Sequence, residues 1–338
     1  MRYVLLGNTG LRVSEVCLGS MAFGTSWGFG TDKTESVKII NSFIENGGNF
    51  IDTANVYTNG ESEKYVGEAI RGNRDNLVLS TKYSLCTDTA NPNSLGNHRK
   101  NLKKSVEDSL VRLGTDYIDL LWVHAWYFEN RTEDVVRALD DLVRSGKILY
   151  WGLSDTPAWV CSEAYSIANL RGWAPLSALQ FEYSLIERTP ERELIPFADN
   201  YNIAKLGWAP FAGGILSGKH HINPPEEVDS LRKDRAANRR NAVIDRISEL
   251  LIKKAAELKI TPSQLALKWL LADKQSFVPI VGARTVPQLK ENLEALSIEV
   301  DKKVIDELTQ ASAVDLGFPA TFLNSPRTKA VMFANFNK

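Results

Sequence analysis

Eight short apolar runs recur along this chain, each closed by a polar or glycine-rich turn and separated from the next by a stretch of helical spacing. The runs occupy 16–18, 49–51, 77–81, 118–123, 149–153, 177–179, 204–208 and 277–281. Apolar on both sides, they predict buried parallel strands, and a parallel pair needs a crossover helix. The intervening spacing predicts those helices over 35–45, 62–71, 99–113, 132–145, 158–170, 191–200, 242–258 with 261–271, and 287–295. Val106, Leu110 and Leu113, like Val135, Leu139 and Leu142, give a helix one stripe to bury. Thr261-Pro262 reads as an N-cap followed by proline at the first helical position, and Gly114, Gly146 and Gly172 read as glycines that end helices.

Eight such units in 338 residues, with no break in composition, predict an α/β fold, one closed (β/α)8 TIM barrel forming a single domain over 1–338. An open doubly wound sheet is the competing architecture. Two departures stand out: a long loop after strand seven, 211–241, which is rich in glycine and proline and then basic, and a tail beyond about 296 that adds an extra C-terminal helix and an irregular end.

Forty Lys and Arg against 41 Asp and Glu leave a net charge of −1, without the basic excess that nucleic acid attracts. Cys17, Cys86 and Cys161 are widely spaced and match neither a disulfide framework nor a zinc site, and the adjacent His220 and His221 suit a loop better than one metal ion. The first residues lack the apolar stretch of a signal peptide, and no run of ~18 apolar residues could span a membrane. A cytoplasmic protein with no metal and no membrane or nucleic-acid partner is expected.

In such a barrel, chemistry gathers at the carboxyl ends of the strands. Run two ends in Asp52, with Tyr57 five residues on; run three ends in Lys82; run four ends in His124. Alone, each has an ordinary reading as a turn, packing or solvated residue. Together they form a proton-donating set. A phenol with a pKa of ~10 becomes a useful acid where a cation stabilises its phenolate. Lys82 can supply that cation, Asp52 its counter-charge, and His124 a hydrogen bond that orients a substrate oxygen. Carbonyl reduction requires this as hydride arrives from the other side.

The blocks IDTANVY, STK, WVH, GLSD, LQFEYS, WAPFAGGILSGK and VGARTVPQLKEN resemble, in order and spacing, the signature blocks of the aldo-keto reductases over about residues 1–310. The resemblance implies a (β/α)8 barrel that uses NADPH to reduce a small-molecule aldehyde or ketone. It makes Tyr57 the general acid, has Asp52 and Lys82 tune it, and has His124 position the carbonyl. No GxGxxG follows a strand, so the NADP cofactor must be held differently from a Rossmann site. By the resemblance, Ser154, Asp155 and Gln180 hold the carboxamide, and Trp208 stacks on the nicotinamide. Ala209, Pro210, Phe211, Ala212, Gly213 and the segment to Lys219 clasp the pyrophosphate. Gly282, Arg284, Gln288, Glu291 and Asn292 bind the adenosine end, with Arg284 suited to a 2′-phosphate. Ser20, Met21 and Asp52 complete the cofactor contacts.

Asp155 stands where an Asn is frequent, so it could instead meet substrate or cap the helix after Pro157. The basic residues Arg232, Lys233, Arg235, Arg239 and Arg240 suit a solvated helix face or a flap over phosphates. Met21, Phe23, Trp27, Tyr83, Trp126 and Trp151 could line an apolar mouth, with Trp126, two residues past His124, foremost. Two other functions compete. One is a regulatory NADP-binding subunit like the channel-associated β subunits, which commonly carry an amide where His124 stands. The other is a metal-dependent hydrolase, disfavoured because Lys82 would repel the ion. Physiological substrate, reaction direction and oligomeric state are left open.

Overall fold

In a computed structural model of the chain, residues 1–218, 239, 241–272 and 277–333 are described. Eight parallel strands close into a barrel, β3 (Cys17–Gly19), β4 (Phe50–Asp52), β5 (Val78–Tyr83), β6 (Ile118–Val123), β7 (Ile148–Ser154), β8 (Leu176–Glu182), β9 (Ala204–Trp208) and β10 (Phe277–Gly282), with β10 pairing back onto β3. The open-sheet alternative is therefore excluded. Helices α1 (Lys33–Glu45), α2 (Glu61–Ala69), α3 (Arg99–Leu113), α4 (Thr132–Arg144), α5 (Ala158–Arg171), α6 (Leu194–Asn200), α7 (Ala242–Leu258), α8 (Pro262–Leu271) and α9 (Val286–Glu294) follow their strands.

The local signals behave as their chemistry demands. Thr261 forms a capping box with Gln264 ahead of Pro262. Gly114 and Gly172 end α3 and α5 in the left-handed conformation, at φ 63° and 62°. The helix expected over 191–200 is broken in two, a 3₁₀ turn at Thr189–Arg192 and then α6, because Glu193 between them takes φ −141°. The tail is more helical than expected: α10 (Lys302–Ala311) is followed by short helices at Ala320–Asn324 and Pro326–Phe333.

One element has no counterpart in the sequence reading. Strands β1 (Tyr3–Leu5) and β2 (Arg12–Ser14) pair as an antiparallel hairpin across the amino-terminal end of the barrel. Leu6 and Val13 pack there against Cys17, Phe50, Val78, Leu120, Ala204 and Val278 in the barrel interior. Gly7, at φ +55°, lies so close to β9 that a Cβ would sit 2.6 Å from the Ala204 nitrogen. The hairpin closes the bottom, opposite the rim formed by the carboxyl ends of the strands.

Candidate active site

Residues two apart on a strand share a face, so alternation decides which side chains line the interior. Val78, Ser80 and Lys82 form one inward row on β5, and Leu120 and Trp122 form the next on β6, continued by His124. The lower members of each row are apolar and fill the core. The upper members meet around Asp52.

Lys82 and Asp52 are bonded as a buried ion pair, their side chains 0% and 3% exposed, and Lys82 Nζ also donates to the Thr53 carbonyl at 2.8 Å. The other Asp52 oxygen accepts from Ser80 Oγ at 2.6 Å, Trp122 Nε1 at 3.1 Å and Gln180 Nε2 at 3.3 Å. Donors from three strands thus hold one carboxylate in place. Tyr57 follows β4, with Lys82 Nζ 4.9 Å from its ring centroid. Its ring meets His124 edge-on at 5.7 Å and Trp27 edge-on at 6.3 Å, and Phe29 lies 5.9 Å beyond Trp27. The four groups singled out in the sequence therefore converge at one rim.

Their electrostatics differ in one respect from the sequence argument. Burial pushes the Tyr57 phenol above its ordinary value; Lys82 pulls it down but does not win, because Asp52 offsets the ammonium. Burial also works against the Lys82 charge, but Asp52 and Tyr57 outweigh it and hold the ammonium above its usual range. His124 is pushed well below the usual imidazole value by burial and then by Lys82. At neutral pH it is an uncharged ring, and its Nδ1 is buried with no partner.

The candidate cofactor residues divide into those free to receive a ligand and those already committed. Ser154 Oγ, at the end of β7, is buried and unpartnered. Trp208 is half-buried at the end of β9, and Ala209, Ala212, Gly213 and Gly214 follow with positive φ. Pro210 and Ala212 are buried, so these turns offer backbone rather than side chains. Beyond β10, Gly282 and Arg284 are exposed, and no described carboxylate pairs with the Arg284 guanidinium. An orphaned hydroxyl, an accessible indole, a close-approach backbone and a free guanidinium are a set that fits a nicotinamide dinucleotide phosphate.

Several of the candidate groups are already engaged within the protein. Ser20 is fully buried: its hydroxyl donates to the Asp52 carbonyl at 2.9 Å and accepts from Ser62 Oγ at 2.8 Å. Asp155 does not cap the helix after Pro157; its Oδ1 accepts from Trp208 Nε1 at 3.0 Å and so fixes the indole. Gln180 gives its amide nitrogen to Asp52, leaving the amide oxygen. The α9 N-terminus is partly filled from within, since Val286 N donates to Glu35 Oε1 at 3.0 Å, Gln288 N faces Thr285 Oγ1 at 3.4 Å and Pro287 has no N–H. Gln288 also accepts from Arg284 N at 3.0 Å, while Glu291 and Asn292 lie one turn on, Asn292 buried. Met21 is 40% exposed at the rim. Arg239 pairs with Glu182 at the end of β8, its side chain still 41% exposed. Lys219, His220, His221, Arg232, Lys233, Arg235 and Arg240 lie outside the described residues.

Ser80, Trp122 and Thr53, which hold Lys82 and Asp52, escaped the sequence reading. Period-two alternation would have found two of them, because Ser80 precedes Lys82 by two and Trp122 precedes His124 by two. Among the described residues, no three His, Cys, Asp or Glu side chains are placed to hold a metal ion, and no helix is long and apolar enough to cross a membrane.

Residues 15–313 match the model of the aldo/keto reductase family. The chain is 38% identical to norsolorinic acid reductase of Aspergillus flavus over 337 residues, covering 97% of this chain and 85% of that protein. It is 35% identical over 333 residues to a putative aryl-alcohol dehydrogenase of Saccharomyces cerevisiae, covering 95% and 89% of the two chains. It is 36% identical over 332 residues to aryl-alcohol dehydrogenase [NADP(+)] of Phanerodontia chrysosporium, covering 92% and 85%. With the closed barrel and the matched blocks at its rim, this chain belongs to the aldo/keto reductase family and is an oxidoreductase.

Proposed function

We propose that the protein reduces an aromatic aldehyde or ketone to the alcohol with NADPH, Tyr57 acting as the general acid. The observation that carries this reading is the convergence of Tyr57, His124 and the Lys82–Asp52 pair at one rim. Bound reduced nicotinamide supplies the hydride to the carbonyl carbon. As negative charge builds on the carbonyl oxygen, Tyr57 gives it the phenolic proton, and Lys82 stabilises the phenolate left behind. Uncharged His124 orients the same oxygen through a ring N–H. Asp52 keeps the ammonium in place.

Ser154, Asp155 and Gln180 would hold the carboxamide, Trp208 would stack, residues 209–213 would approach the pyrophosphate through their backbone, and Arg284 would meet the 2′-phosphate. Aromatic substrates are favoured by the run of rings from His124 through Tyr57 and Trp27 to Phe29. The similar proteins named for norsolorinic acid and aryl alcohols point the same way. NADPH oxidation should be followed with benzaldehyde-type and aliphatic carbonyls. Tyr57→Phe should abolish most turnover, by about 10²-fold or more, and leave NADPH binding intact; full turnover in that variant refutes the assignment.

A further inference from the structure

We infer that Thr58 is a positioning residue for Tyr57: its buried hydroxyl pins a left-handed turn and thereby holds the phenol against Lys82. The inference rests on Tyr57 being the proton donor. The chain leaves Tyr57 through three successive left-handed residues, Thr58 at φ 46°, Asn59 at φ 55° and Gly60 at φ 86°. A β-branched residue rarely takes that conformation, and one that does must be held by its surroundings.

The hold is visible. Thr58 is fully buried, and its Oγ1 donates to the Phe23 carbonyl at 2.6 Å and accepts from Ser62 N at 3.2 Å. Gly24, at φ +114°, lets the two segments meet, since a Cβ there would lie 2.4 Å from Thr58 Oγ1. From Ser62 the network continues: its hydroxyl lies 2.9 Å from Thr53 Oγ1, and the Thr53 carbonyl accepts from Lys82 Nζ. A chain of hydrogen bonds thus runs from the turn bearing Tyr57 to the ammonium beneath it. Glu61 reinforces it from α2, accepting from Thr25 N at 2.9 Å and Ser26 N at 3.2 Å, next to Trp27. The loop that carries Trp27 and the turn that carries Tyr57 are therefore one braced unit.

Thr58→Ala removes the hydroxyl and relieves crowding in the left-handed turn; Thr58→Ser keeps the hydroxyl. Both should be purified as full chains and compared by circular dichroism, by NADPH titration through tryptophan fluorescence, and by kcat and KM. For Thr58→Ala the expected result is kcat lowered about 10- to 100-fold, the scale of a misplaced reacting group, with unchanged helicity and NADPH affinity. The alkaline limb of its kcat profile should move upward, since the phenol loses its cation. Thr58→Ser should recover kcat and the profile. The inference is overturned by wild-type kcat in Thr58→Ala, by an equal loss in Thr58→Ser, or by a loss in Thr58→Ala that follows lost helicity or lost NADPH binding. Tyr57→Phe, run alongside, separates the two readings: if it turns over normally, the proton-donor assignment fails first.

Discussion

Replacing Lys82 by Met leaves the Asp52 carboxylate in the barrel without its cation. Both side chains are almost wholly buried, so solvent screening offers no discount. Removing one partner of such a pair costs about 3–5 kcal/mol. Ser80, Trp122 and Gln180 still donate to Asp52, which places the loss at the lower end, about 3 kcal/mol. For a domain of this size that is a fall in melting temperature of roughly 4 °C. On the proposed mechanism turnover should drop by about 10²- to 10⁴-fold, because the phenolate of Tyr57 would lose its stabilising charge. Adding Asp52→Asn removes the stranded charge, so the double variant should recover most of the stability and none of the activity. Thermal unfolding by circular dichroism and steady-state NADPH oxidation read the two effects separately. A Lys82→Met protein as stable as wild type, or a double variant no more stable than the single one, would show that the buried charge is not what the pair balances.

Three further outcomes follow from the rim. Arg284→Ala should weaken NADPH binding and leave NADH binding almost unchanged, as measured by fluorescence titration, because the role proposed for the guanidinium is at the 2′-phosphate alone; equal weakening of both rejects that role. Burial holds Tyr57 above its ordinary value, so reductive kcat should stay level through neutral pH and fall only above about 10. His124 has a folded pKa below its unfolded one, so the unfolded chain binds more protons between the two, and stability should decline as pH falls through about 6.5. That decline should be shallower in His124→Gln, and an identical acid profile in the variant excludes His124 as its cause.

What the sequence revealed depended on whether the signal was local. Strand-length apolar runs and cap residues such as Thr261 and Gly172 write their structure in adjacent positions, and the barrel followed from them. Asp52, Tyr57, Lys82 and His124 were legible because each sits at or just past a strand end. The commitments of Ser20, Gln180 and Asp155 were not, since their partners lie 42, 128 and 53 residues away. Spacing alone cannot tell a hydroxyl facing a ligand from one bonded to Ser62. The hairpin at Tyr3–Ser14 escaped for another reason: each strand is three residues long, too short for alternation to register.

That hairpin has a kinetic consequence. With a stopper at one end and Phe50, Leu120 and Leu206 filling the bore above it, nothing passes through the cylinder. On the proposed reading, coenzyme and carbonyl compound therefore enter from the same side of the barrel, and their order of arrival is a question of which seats deeper.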